Sequence, residues 1–329
     1  MKKEKLEKLF LILALLFLAK EKFIVVYAVY ILYCIFDVKI LHMKTIFKLL
    51  VLLALVVPGE LLAQSVAQGN MSQESAAKYA EISKVLMANR QKSTPELMII
   101  AAKEMLGTDY VAGTLEVVPE QLKVSLTQTD CILFVESCLA MALNAKKGLT
   151  SPDDLCATVQ SLRYRNGKVD GYASRIHYTS EWIRQGEARG LFREITDVLS
   201  GDNLSGQRFS YMSEHSDAYK QLKDNTPEVA RIAKMEADLN KYTDYYVIPK
   251  ADVKKMEHLL KDGDILGFNS SVKGLDIAHV ALVYHKDNGE VGFIHASYAD
   301  GKVVIDQKSI HDYVNARKNN DGIRIVRVK

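Results

Sequence analysis

The sequence predicts an α+β fold, with N-terminal helices packed on a C-terminal antiparallel sheet. Three observations carry this. Between residues 131 and 145 almost every side chain is apolar and Glu136 has the only charge, the pattern of a helix buried on all sides. Upstream, residues 74–89 have helical spacing, and Thr94-Pro95 reads as an N-cap and N1 proline opening a second helix to about residue 106. From Asp262 on, short apolar or alternating runs follow at 264–268, 278–285, 291–297, 302–306 and 323–329, with turns between them, as in an antiparallel sheet. Helices first and strands last is the order of an α+β domain.

The chain has 329 residues, 48% hydrophobic and 25% charged, with net charge +3. That fits a globular protein of one large or two modest domains. The near-balanced charge, with no Lys/Arg block after residue 70, argues against nucleic acid as a partner.

The first 63 residues differ from the rest. Apolar runs occupy 9–19, 23–36 and 49–57, each shorter than the ~18–20 residues that span a bilayer. Read from Met43, a short basic n-region to Lys48, an apolar h-region at 49–57 and Leu61-Leu62-Ala63 before Gln64 form a secretory signal peptide. Residues 1–42 then read as an upstream extension. The competing reading is a membrane-anchored hairpin of residues 9–36. Either way the body from Gln64 is expected outside the cytoplasm, in the periplasm or cell envelope. Residues 64–73, polar and small, read as a flexible leader. Residues 74–329 read as a single domain with an inserted elaboration around 146–260.

The cysteines are Cys34, Cys131, Cys138 and Cys156. No CxxC spacing occurs, so neither a zinc ribbon nor a disulfide framework is indicated. An odd thiol in an oxidising compartment flags a reactive one. Cys138 reads as core, and a Cys138–Cys156 bridge stays open.

Within the body, Gly107 stops the second helix, 108–116 forms a loop, and 122–126 leads into the central helix. Asp130 suits its N-cap. Cys131 then lies in the first turn, where orphan N–H groups and the helix dipole favour a thiolate. A lowered thiol pKa is what a cysteine nucleophile needs. The alternative is a small core hydrophobe. Between 172 and 182 stand Tyr172, Arg175, His177, Tyr178 and Trp182, the only Trp in the chain. Such a cluster is either a binding surface or a packed loop. Residues 227–240 read as an amphipathic helix with a solvated face.

His279 opens one strand and His295 lies on the next, with Asp287-Asn288-Gly289 between them. A two-residue Asn-Gly loop would put the two rings on opposite faces. A three-residue loop with Gly289 left-handed pairs 286 with 290. His295 then opposes Ala281, diagonal to His279 on the same face, and within its reach. The sequence predicts this same-face register. A base and its orienting partner need that proximity. A Cys opening a buried helix, a His on a strand and a polar partner on the next follow the logic of a papain-like cysteine hydrolase. Zinc held by Cys131, His279 and His295 is a rival without local ligand spacing.

Asp130-Cys131, Gly263-Asp264-Ile265-Leu266, Ala278-His279-Val280-Ala281-Leu282-Val283-Tyr284 and Phe293-Ile294-His295-Ala296-Ser297 resemble the motifs of the NlpC/p60 cell-wall cysteine peptidases. Tyr110, between Gly107 and Gly113, matches that family's tyrosine ahead of the nucleophile. Gly113-Thr114-Leu115-Glu116, Phe134-Val135-Glu136, and Ser174-Arg175-Ile176-His177-Tyr178 with Trp182 resemble its N-acetylmuramoyl-L-alanine amidase-like branch. The resemblance covers about residues 75–329. Ile132-Leu133 replaces the Ser-Gly common in the wider superfamily, which suits the branch.

The resemblance implies a papain-like (NlpC-type) fold and hydrolysis of a peptidoglycan amide, with muropeptides as substrate. Neither a cofactor nor an obligate protein partner is implied. Cys131 is the expected nucleophile, His279 its base and His295 the residue that orients the base. Tyr110 is expected at the oxyanion with the Cys131 N–H. Arg175, His177, Tyr178 and Ser297 are the substrate-binding candidates. The branch points to the N-acetylmuramic acid–L-alanine amide, whereas the wider superfamily more often cuts γ-D-glutamyl to diamino acid. A non-catalytic cell-wall binding module and a generic papain-like protease are the other readings.

Overall fold

The computed structural model describes residues 70–329 apart from Ser200 and Ser205. The signal peptide, the upstream extension, the hairpin 9–36, Cys34 and most of the leader lie outside the described residues. Val124 N–H donates to Asn70 O at 2.8 Å, and Met71 is buried, so Asn70 and Met71 are part of the fold.

The described helices are α1 (Gln73–Ala88), α2 (Thr94–Glu104), α3 (Cys131–Lys147), α4 (Pro152–Arg163), α5 (Thr179–Ala188), α6 (Tyr211–Glu214), α7 (Thr226–Leu239), α8 (Lys250–Met256) and α9 (Ile310–Asn315). The strands are β1 (Asp109–Tyr110), β2 (Gln128–Thr129), β3 (Phe192–Glu194), β4 (Asp202–Asn203), β5 (Tyr246–Pro249), β6 (Ile265–Ser270), β7 (Ile277–His285), β8 (Val291–Ser297), β9 (Lys302–Ile305) and β10 (Asn320–Val328). They form one sheet in the order β2-β1-β9-β8-β7-β6-β10-β5-β4, with β3 also on β10. Every strand pair is antiparallel except β1–β2. The architecture is thus mixed α+β.

Local chemistry explains the helix ends. The cap of α2 is Ser93, one residue before the expected Thr94: the Glu96 carboxylate accepts from the Ser93 N–H at 2.9 Å and the Ser93 hydroxyl at 2.6 Å, a capping box. α3 is capped by Asp130, whose Oδ1 accepts from Leu133 N–H at 2.9 Å, and stops at Gly148 with φ +73°, the left-handed residue that ends many helices. The one charge between residues 131 and 145, Glu136, is 2% exposed. The carboxylate is met by Arg163 of α4 at 2.5 Å, because a buried charge is tolerated only when paired and hydrogen-bonded.

The sheet separates two apolar layers by strand parity. Val280, Leu282, Tyr284, Ile294 and Ala296 join the core with α1–α4. Ala281, Val283 and Phe293 join Tyr313 and Val314 of α9 on the other. Stretch 146–260 divides among three clusters, with Ile195, Leu199, Ile248, Val253 and Leu260 joining the layer of Tyr313 and Val314. Leu155, Val159, Leu162, Trp182 and Ile183 belong to the main core. Phe209, Met212, Ile232, Met235, Leu239 and Tyr245 make a separate cluster around Tyr172 and Tyr178. The amphipathic α7 therefore buries one face over the 172–178 segment.

Candidate active site

The β7–β8 turn is the three-residue kind. Lys286 N–H donates to Glu290 O at 2.8 Å, and Gly289 has φ +83°. Leu282 pairs with Ile294 and His285 with Val291, which puts His295 opposite Ala281 and diagonal to His279, as expected. The consequence is direct contact: His279 Nε2 lies 2.7 Å from His295 Nδ1. Both rings pack on Tyr313, at centroid distances of 6.0 and 5.5 Å. His279 also stacks on Phe268 at 5.8 Å. The apolar cage lowers both imidazoles. Burial, then the charges of His295 and Arg317, hold His279 down to about 3. Burial takes His295 to about 4, although Asp306 pulls upward. At neutral pH both rings are uncharged and share one N–H···N bond.

The N-terminus of α3 and the start of β7 meet at a cavity of about 330 Å³, lined by Cys131, His279, Arg175, His177 and Tyr178 among others. The half-buried Cys131 sulfur sits among the backbone N–H groups of Val280, Ile132 and Cys131 itself, which favour a thiolate. They are outweighed. Burial first, and the Asp130 charge second, push the thiol up to about 12. The expected lowered thiol pKa is therefore corrected: the residue that caps the helix also sets a carboxylate beside the sulfur, and the site is too desolvated for a free thiolate. The resting pair is a neutral thiol and a neutral imidazole.

Tyr110 stands beside Cys131 but outside the cavity lining. Burial, then the charges of Cys131 and Asp130, raise its hydroxyl to about 12, so it stays a donor. Its ring meets the exposed Tyr298 edge-on at 5.6 Å.

Three expected substrate-binding residues are committed to the protein. Arg175 Nη2 donates to Glu116 Oε1 at 2.6 Å, and its Nε lies 3.6 Å from Glu120. It is not a free carboxylate clamp. Tyr178 donates to Glu236 at 2.7 Å and accepts from Met212 N–H at 3.2 Å. Ser297 is buried, donates to Asp300 Oδ2 at 2.6 Å and accepts from Asp300 N–H at 3.2 Å. It staples the β8–β9 turn, outside the cavity lining. His177 lines the cavity with Nε2 on Tyr172 O at 2.9 Å. Burial lowers it to about 3, so the ring is neutral and its Nδ1 is an acceptor. A zinc site is not what the histidines build, since Nε2 of one and Nδ1 of the other face each other. Cys138 and Cys156 are buried free thiols.

Sequence reasoning overlooked several members of the site. Glu116 reaches the cavity rim from the loop before α3. Glu236 of α7 accepts from Tyr178, Met212 N–H and Ser213 N–H, at 2.7, 3.1 and 3.2 Å. Asp306 lies behind His295. Strand alternation carried the signal for Asp306: His295 pairs with Val304, so residue 306 shares its face. For Glu236 no local signal existed.

Fold and site together define an α+β protein whose helix-borne thiol shares a cavity with a paired imidazole. Residues 100–323 match the AmiA-like, N-acetylmuramoyl-L-alanine amidase-like family, and the chain belongs to it. The N-acetylmuramoyl-L-alanine amidase from Bacteroides uniformis is 34% identical, with TM-score 0.65, covering 72% of this chain and 99% of that one. A Bacteroides fragilis structure with a provisional xylanase name is 35% identical, with TM-score 0.63, covering 69% and 99%. A Legionella pneumophila protein at 22% identity and TM-score 0.57, covering 77% and 96%, shares the fold. No curated protein matches the chain. Family membership implies a peptidoglycan substrate.

Proposed function

We propose that this protein is an exported cysteine amidase of papain-like, NlpC/p60 type that cuts the amide between N-acetylmuramic acid and L-alanine in muropeptides. The observation that carries this is the shared cavity of Cys131 and His279, with His279 held by His295, in an amidase-like chain. The signal-peptide pattern from Met43 supports export.

As the lactyl carbonyl docks, the Cys131 thiol gives its proton to the imidazole of His279, and sulfur bonds to the carbonyl carbon. The oxyanion meets the Cys131 N–H and the Tyr110 hydroxyl; losing one such donor typically costs about 10²–10³ in rate. The tetrahedral intermediate collapses, the C–N bond breaks, and His279 returns its proton to the departing amine of L-alanine. Water, deprotonated by His279, then cleaves the thioester. Because thiol and imidazole both start neutral, charge appears only along the reaction coordinate, where preorganised N–H groups count most. Glu116, fixed by Arg175, and His177 Nδ1 offer acceptors to substrate N–H and O–H groups.

A xylanase reading fits less well, because a glycosidase needs a free acid and base pair of carboxylates. Here Glu136 and Glu116 are tied to arginines, and Asp130 and Asp276 accept from backbone N–H groups. The test is mass spectrometry of muropeptides incubated with the protein and with Cys131→Ala. Free intact stem peptide, absent with the variant, supports the amidase. Cleavage after γ-D-glutamate reassigns the bond to the endopeptidase one, and no product from either protein favours a binding module.

A further inference from the structure

We infer that Asp306 is a positioning residue that sets the tautomers of His295 and His279, leaving His279 Nδ1 as the bare nitrogen for the thiol proton. The inference rests on the proposed cysteine mechanism and names the device that prepares its base.

Asp306 extends the β8–β9 ladder by one residue, its N–H donating to Phe293 O at 3.1 Å. His295 pairs with Val304, so Asp306 is diagonal to His295, as His295 is to His279. Diagonal neighbours on one face reach each other. Asp306 is 8% exposed and His295 is 1% exposed. Asp306 Oδ2 lies 3.2 Å from His295 Nε2. That nitrogen is buried and makes no hydrogen bond of ordinary geometry, and the Asp306 carboxylate is the acceptor within its reach. The other oxygen, Oδ1, accepts from Lys308 N–H at 2.7 Å, which fixes the carboxylate plane.

The proton positions follow in sequence. An ionised carboxylate only accepts, and a neutral imidazole carries one N–H. Asp306 therefore places the His295 proton on Nε2 and leaves Nδ1 bare. Nδ1 then accepts from His279 Nε2–H across 2.7 Å. His279 Nδ1 is left with its lone pair. Reversing the first proton reverses every later one and puts a proton where the base must be empty.

This makes Asn at 306 worse than Ala. Lys308 N–H holds an oxygen at the Oδ1 position, so the amide of Asp306→Asn must present its NH₂ group to His295 Nε2. The wrong tautomer is then enforced along the chain. Asp306→Ala removes the preference without imposing the opposite one. A purely structural residue would show the reverse order, because Asn is the closer isostere.

The experiment measures muropeptide cleavage by the wild type, Asp306→Asn and Asp306→Ala, with the histidine tautomers read by ¹⁵N NMR on ¹⁵N-histidine protein without substrate. Expected losses in kcat are about tenfold for Asp306→Ala and at least about 10²-fold for Asp306→Asn, with KM little changed. The NMR is expected to show His279 Nδ1 bare in the wild type and protonated in Asp306→Asn. Equal or milder loss in Asp306→Asn, or unchanged tautomers, would overturn the inference. So would a wild type with His295 protonated at Nδ1, a result that needs no folded variant. A wild type inert on muropeptides counts against the proposed reaction, while the tautomer measurement still decides the role of Asp306.

Discussion

His279 Nε2 and His295 Nδ1 meet at 2.7 Å across two adjacent strands, with the ring of Tyr313 beneath both. One proton serves both nitrogens. In the proposed mechanism the base is thus held by its partner in one arrangement. The first prediction concerns this contact. In His295→Ala the His279 N–H loses its acceptor and its ring is free to turn; kcat is expected to fall about 10–10²-fold. His295→Asn offers an amide oxygen to the same N–H and is expected to recover part of that loss. Steady-state kinetics on muropeptides distinguishes the two.

The pH dependence follows from the lowered imidazoles. The proposed mechanism needs His279 uncharged, and burial holds it at about 3 and its partner at about 4. The acid limb of kcat/KM is expected near or below pH 4, well under the ordinary histidine value of 6.5, since kcat/KM reports the free enzyme. A limb near pH 6.5 would show that the pair is solvated.

Stability has its own sign. His177, His279 and His295 resist protonation when folded, whereas in the unfolded chain they bind protons below about 6.5. The unfolded state therefore binds more protons as pH falls, and stability decreases with it. Melting temperature is expected to drop steadily from pH 6.5 toward pH 4, and a flat profile across that window would contradict the burial of these rings.

Asp130 has two opposed effects on α3. Asp130→Asn keeps a good cap but removes the charge beside the sulfur. The alkylation rate of Cys131 by iodoacetamide, followed against pH, is expected to be slow at neutral pH in the wild type. Its midpoint is expected to lie far above that of an ordinary thiol and to move down in the variant. An unchanged midpoint would mean that burial alone sets the thiol.

Glu236 ties α7 to the cavity wall. Glu236→Ala leaves the Tyr178 hydroxyl and two backbone N–H groups without their acceptor, and a cost of about 3 kcal/mol is expected. Chemical denaturation measures it.

Much of this architecture was legible in the sequence. Apolar residues on all sides of 131–145 marked the central helix, and the spacing around Gly289 gave the register that joins the histidines. The same parity argument, carried one turn further to His295 and Val304, reaches Asp306. What local pattern could not carry was charge balance across distance. Arg175 finds Glu116, Cys131 feels burial as well as its own cap, and Glu236 arrives from α7 to hold Tyr178. Ser297 belongs to a recognisable motif, yet its hydroxyl serves the turn. Motifs identify residue types at positions, whereas the availability of a group depends on what the tertiary fold places beside it.

The central claim is that Cys131 becomes acylated by the muramyl lactyl group. Intact-protein mass spectrometry after acid quench of a reaction with a defined muropeptide tests it most directly. The account predicts a transient adduct equal to the acylated sugar portion, mapped to Cys131 and absent in Cys131→Ala. Steady release of stem peptide with no adduct at any time point, and with activity retained in Cys131→Ala, would contradict it.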